Sequence, residues 1–115
     1  MIRTFLDLRV KPGHAERLAA AFERLAILDE SVAQSGCSSA DLSVSADGTT
    51  VTVTATWDST DAYAAWTSRD DRGDLADQLN EHLVQPLDAA TVGRVQRILV
   101  SGGPGRSTDR EGQQR

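Results

Sequence analysis

The sequence predicts an α+β domain of β-α-β-β-α-β order, with a four-stranded antiparallel sheet and two helices on one of its faces. Three observations carry that expectation. Apolar and polar residues alternate over residues 2–10, 40–46 and 51–57, the period of a strand with one buried face. Apolar residues recur every three or four positions over residues 14–34 and again after Asp61, the period of an amphipathic helix. Asp47-Gly48 lies between the two central alternating runs, a strong short-range signal for a hairpin.

Each element follows from its residues. On the first run Ile2, Thr4, Leu6, Leu8 and Val10 share one face, and Arg3, Phe5, Asp7 and Arg9 share the other. Lys11-Pro12-Gly13 ends it, because proline supplies no amide proton to a ladder. A single helix is expected over residues 14–34. Ala15, Leu18, Ala19, Phe22, Leu25 and Ala26 form its apolar stripe, and Gly36 suits the left-handed cap that closes it. The hairpin turns Ala40, Leu42, Val44 and Ala46, then Val51, Val53, Ala55 and Trp57, to one side. It turns Ser39, Asp41, Ser43 and Ser45, then Thr50, Thr52, Thr54 and Thr56, to the other.

Asp58-Ser59-Thr60-Asp61 reads as a helix start, since hydroxyl oxygens accept orphan amide protons and a carboxylate suits the positive end of the dipole. That helix runs to about Arg69 and is interrupted at Asp70-Asp71-Arg72-Gly73-Asp74, a solvated loop or a lid with Gly73 as its pivot. It resumes through Leu75, Leu79, His82 and Leu83 until Pro86, and a last strand is expected over residues 92–101. Right-handed crossovers then put both helices on one face. The other face, nearly all Ser, Thr and Asp on the hairpin, either meets a second sheet or faces water.

The chain has 115 residues, enough for one domain, expected over residues 1–101. Residues 102–115 hold almost no apolar side chains and are expected to form a disordered tail. Seventeen acidic residues outnumber twelve basic ones, for a net charge of −5, and no basic stripe appears, so nucleic acid is not an expected partner. The N-terminus lacks the pattern of a signal peptide and no run has the length of a membrane span, so a cytoplasmic location without membrane contact is expected. Cys37, the one cysteine, excludes an intrachain disulfide and reads as a small strand-start residue. Cys37, His14 and His82 are far apart in sequence, and no metal site is expected from them. Neither a Ser-His-Asp spacing nor a Gly-rich phosphate loop is present.

The segment Trp57-Asp58-Ser59-Thr60-Asp61-Ala62-Tyr63-Ala64-Ala65-Trp66 resembles the signature of the antibiotic biosynthesis monooxygenase superfamily. There a strand ends in Trp, Ser and an acidic residue open a helix, and an aromatic follows six positions on. Lys11-Pro12-Gly13 with Ala15-Glu16, and the helix ending in Gly36-Cys37, look like it as well. The resemblance covers roughly residues 2–101 and implies a ferredoxin-like fold that pairs two sheets into a dimeric α/β barrel. Its branches include cofactor-free oxygenases of aromatic polyketides, quinol oxygenases, haem-degrading enzymes, polyketide cyclases and proteins without assigned activity.

The oxygenase branch resembles this chain at Trp57 and Tyr63. What it implies is an aromatic polyketide or quinol-like substrate, molecular oxygen as the second reactant, and no cofactor. An ionised electron-rich phenol can itself reduce oxygen, so the protein need supply only a dry pocket, orientation and hydrogen bonds. Trp57 is expected to offer its indole N–H and Tyr63 to donate or relay a proton. The Asn that this branch carries four residues before the Trp is Val53 here. The haem-degrading branch resembles the chain at Trp66, but its first-strand Asn and its His ligand fall at Leu6 and Ala76, which disfavours haem cleavage.

Trp57, Tyr63 and His82 are therefore the candidate catalytic residues, His82 as the base that chemistry alone would choose near neutral pH. Trp66, Val53, Leu6 and Phe22 are the candidate substrate contacts. His14, in a first helical turn where the dipole disfavours an imidazolium, is expected to be exposed. The alternatives to an oxygenase are a polyketide cyclase using the same pocket and a non-catalytic small-ligand-binding dimer.

Overall fold

A computed structural model of the chain describes residues 1–88 and 90–102. Strand β1 (Ile2–Arg9) is followed by helices α1 (Ala15–Arg24) and α2 (Ile27–Val32), then by β2 (Cys37–Val44) and β3 (Thr50–Trp57). Helices α3 (Thr60–Thr67) and α4 (Arg72–Leu79), a 3-10 turn over Asn80–His82 and strand β4 (Arg94–Arg97) complete the chain. The four strands form one antiparallel sheet in the order β2-β3-β1-β4. The expected α+β class and element order are therefore found. Apart from Gly102, the expected tail lies outside the described residues. No helix among the described residues is long and apolar enough to cross a membrane.

The strand register realises the alternation. Leu6 pairs with Val53 and Leu8 with Val51 on the helical side, while Phe5 pairs with Thr54 and Asp7 with Thr52 on the other. On that uncovered face Thr52 Oγ1 donates to Asp7 at 2.8 Å, and Arg94 lies 3.7 Å from Asp7 with its guanidinium 4.8 Å from the centre of the Phe5 ring. The hairpin turn is held by Asp47, which accepts from Ser45 Oγ, Thr49 N and Thr49 Oγ1 at 2.7, 3.1 and 2.8 Å. Those hydrogen bonds, the one from Ser45 foremost, hold its carboxyl down to about 2. Gly48 takes the positive φ of 76° that the turn requires.

Three expectations need correction. The single helix over residues 14–34 is broken at Ala26, whose φ of 54° is left-handed. The break changes the phase of the segment. In an unbroken helix, at about 100° per residue, Ile27 would point about 180° away from Leu18 and Asp29 would face the sheet. After the break Ile27, Leu28 and Ser31 turn inward, and Asp29 is exposed. The last strand is shorter than residues 92–101. Arg97 pairs with Ile2, the first residue of β1, and beyond it only Ile98 N finds a carbonyl, that of Met1. Leu99 and Val100 are left exposed. Helix α4 also begins at Arg72 rather than at Leu75.

The core is divided in two. Leu8, Val10, Leu18, Ala21, Phe22, Val51, Leu79 and Leu83 pack at one end of the sheet. Ile2, Ala55 and Trp57 pack at the other, against Cys37, Ala40, Ala62, Tyr63 and Trp66. Between them, over Thr4 and Leu6 of β1 and Val53 and Ala55 of β3, the packing is incomplete.

Candidate functional site

That gap is a cavity of about 100 Å³ between the sheet and the helical layer. Alternation along β1 and β3 aims Thr4, Leu6, Val53, Ala55 and Trp57 into it. Phe22 enters from α1, Ile27, Leu28 and Ser31 from α2, and Tyr63 and Trp66 from α3. Arg72, Leu75, Ala76 and Leu79 of α4, with Leu87, Asp88 and Thr91 from the following loop, close the remaining side. The loop is pinned by Asn80, whose side-chain amide donates to Leu87 O at 2.9 Å and whose carbonyl oxygen accepts from Leu87 N at 2.7 Å. Helix α3 is capped by Ser59, which accepts from Ala62 N.

The cavity brings together six sequence candidates: Leu6, Phe22, Val53, Trp57, Tyr63 and Trp66. The Trp57 ring is 5.5 Å from Tyr63 and 6.3 Å from Trp66, centre to centre, so the three aromatics form one continuous wall. Arg69 lies 4.4 Å over the Trp66 ring and pairs with Glu30 of α2 at 2.8 Å and with Asp71 at 2.9 Å. The hydrogen bond to Glu30 is the largest cause of the upward shift of the Arg69 pKa.

His82 is not brought to the cavity. It is buried at the far end of α4, and its Nδ1 lies 3.1 Å from His14 Nδ1, so one ring donates and the other accepts. A base cannot act on a ligand it does not reach, which removes the geometric basis for choosing His82. His14 is correspondingly half-buried rather than exposed. Burial first, then the charge of Arg17, His82 and Lys11, lowers its pKa below 6.5. Among the described residues no three His, Cys, Asp or Glu side chains are placed to hold a metal ion.

The expected use of the Trp57 indole N–H also needs revision. That ring is buried and donates to Thr4 Oγ1 at 3.2 Å. Thr4 thus has an acceptor position filled and its own proton left to give. Tyr63 is in the same condition, because its hydroxyl accepts from Gly93 N at 2.8 Å. The cavity therefore holds two hydroxyls, each fixed by an incoming N–H, that can donate to an oxygen of a bound molecule. Sequence reasoning missed Thr4, although a polar residue on the apolar face of β1 was a visible signal. It also missed Asp88 and Thr91, which lie where no periodicity marks them, and read Arg72 only as part of a charged break.

The fold has close counterparts. Rv0793 from Mycobacterium tuberculosis superposes with a TM-score of 0.69 at 22% identity, over 89% of this chain and 98% of that one. A candidate antibiotic biosynthesis monooxygenase from Nitrosomonas europaea gives 0.68 at 20% identity, over 87% and 100%. SO0527 from Shewanella oneidensis gives 0.63 at 20%, over 83% and 85%. At these identities the likeness is one of fold. No curated protein matches the chain. Residues 1–78, more than half of the sequence, match the family model for antibiotic biosynthesis monooxygenases, and the chain belongs to that family.

Proposed function

We propose that this protein is a cofactor-independent monooxygenase, or a closely related tailoring enzyme, acting on an aromatic polyketide or quinol-like small molecule. The observation that carries the reading is the pair of N–H-fixed hydroxyls, Thr4 and Tyr63, beside the aromatic wall of Trp57 and Trp66. Two donors converging on one oxygen favour its ionised form. An ionised hydroxyarene is electron-rich enough to pass an electron to molecular oxygen. Recombination at a ring carbon and loss of water then give a quinone. The ring loses two hydrogens and gains one oxygen atom, and the second oxygen leaves as water. Leu6, Val53, Ala55 and Phe22 keep bulk water from the reacting ring, Trp66 stacks on it, and Trp57 acts through Thr4.

The same reading includes a homodimer, in which the uncovered sheet face with Phe5 and the Ser and Thr rows meets a second copy. Chromatography with light scattering at twice the monomer mass supports that part, and a monomer refutes it.

The test of activity is oxygen uptake with a panel of dihydroxynaphthalenes. One oxygen consumed per quinone formed is expected, with Tyr63→Phe slowing turnover by at least ten-fold while the fold is kept. Ring closure of a linear poly-β-ketone analogue without oxygen uptake, and no oxidation of the naphthalenediols, would make the protein a cyclase. A second reading, a non-catalytic binder, is favoured by the apolar character of Leu6, Val53 and Ala76, all of which line the cavity. Ligand-induced thermal stabilisation with no product would select it.

A further inference from the structure

We propose that the ligand of this cavity is an aromatic acid, a hydroxyarene carrying a carboxylate that Arg72 receives. The proposal rests on the cavity's being a site for an electron-rich aromatic ring, and it adds the ligand's charge and its direction. Arg72, the first residue of α4, is the one cationic side chain lining the cavity among the described residues. It has no carboxylate counter-ion among them; the arginines that do are Arg69 and Arg94. One of its guanidinium nitrogens donates to Thr91 O, which fixes the side chain in place. A guanidinium carries five donors in a rigid planar fork, so one such bond leaves most of the fork for a ligand.

The acidic lining residue makes no ion pair with this guanidinium. Asp88 is exposed, and its Oδ1 accepts from Ala90 N at 2.8 Å and from Thr91 Oγ1 at 3.2 Å, both within its own turn. A half-buried guanidinium against an apolar wall, held at one edge and lacking a counter-ion, is complementary to a planar carboxylate.

The direction follows from what holds the two ends. Arg72 hangs from Thr91 O, and the Tyr63 hydroxyl hangs from Gly93 N. Two residues of extended chain span at most about 7 Å. The two anchors are thus no more than about one ring's length apart along the chain, which places guanidinium and hydroxyl at one site. The carboxylate points to Arg72, the ring lies on Trp57 and Trp66, and the phenol oxygen points to Tyr63 and Thr4.

Calorimetric titration with a hydroxynaphthoic acid, its carboxamide and the parent naphthol tests this. The acid should bind at least ten-fold more tightly than the amide. The preference should vanish in Arg72→Gln, with amide affinity kept, and persist in part in Arg72→Lys. The chain's net charge of −5 opposes general attraction of anions, so a preference for the acid reports a local site. Equal affinity of wild type for acid and amide overturns the proposal without recourse to any variant, as does a preference that survives in a folded Arg72→Gln. If the naphthol is oxygenated while acid and amide bind alike, this inference fails and the oxygenase reading stands. If the acid is preferred through Arg72 and no oxygen is consumed, the oxygenase reading fails and this inference stands. If none of the three binds, both fail.

Discussion

Gly93 gives its backbone N–H to the hydroxyl of Tyr63 at 2.8 Å, and its lack of a side chain is what lets the two approach. A Cβ on Gly93 would lie 2.7 Å from the carbonyl oxygen of Phe5 and 3.1 Å from the Tyr63 hydroxyl. The carbonyl belongs to a paired strand and cannot give way cheaply. Gly93→Ala should therefore cost about 1–3 kcal/mol of stability, the range for forced overpacking. It should also weaken binding of phenolic ligands more than Tyr63→Phe alone does, since it disturbs both β4 and the hydroxyl. Urea denaturation and titration with a naphthol measure the two effects; a neutral Gly93→Ala would show the approach to be looser than described.

The bond from Trp57 Nε1 to Thr4 Oγ1 makes a double-mutant cycle informative. Thr4→Val leaves a buried indole N–H without its acceptor, a loss of about 1–3 kcal/mol. Trp57→Phe in that background removes the orphaned donor, so the second change should cost less than it does in wild type. A coupling near zero in chemical denaturation would mean that the bond contributes nothing.

The histidine pair predicts a pH dependence. The pKa of His14 is lowered in the folded protein, by burial and then by neighbouring positive charge. The unfolded chain therefore binds a proton first as pH falls below about 6.5. Stability should be at its full value above that pH and decline below it, levelling once the folded His14 is also protonated. His14→Gln should flatten that part of the profile. The contribution of Asp47 is distinct: its folded pKa of about 2 adds stability that is present above about pH 4 and lost as pH falls through 2. Thermal melts of wild type and His14→Gln between about pH 4.5 and 8 read the histidine window alone, and an extension down to about pH 2 reads that of Asp47.

Incomplete packing between the two halves of the core offers a direct trade. Ala76 is buried and lines the gap. Ala76→Leu should fill part of it, leaving stability unchanged or raised by about 1 kcal/mol, while abolishing ligand binding. Concurrent loss of stability and binding would show that the gap cannot accept the added carbons.

Much of the architecture was legible because periodicity reports burial directly. The alternation from Ile2 to Val10 and the Asp47-Gly48 turn marked strands, their faces and the hairpin, and the aromatic spacing Trp57, Tyr63, Trp66 marked one wall of the cavity. What stayed hidden depended on contacts distant in sequence or on backbone states without a residue signature. Ala26 adopts a left-handed conformation that Gly or Asn would have advertised. His82 looked like a base because its partner, His14, is 68 residues away. Arg72 sits in a charged stretch that reads as solvated until the loop bearing Thr91 folds over it.

The left-handed residue at Ala26 separates two design problems that a straight helix would couple. Upstream of it, α1 buries Leu18, Ala21 and Phe22; downstream, the short α2 lays Ile27, Leu28 and Ser31 over the chamber. A substitution at Ile27 or Leu28 thus remodels the chamber's ceiling while the phase of α1 stays as it is.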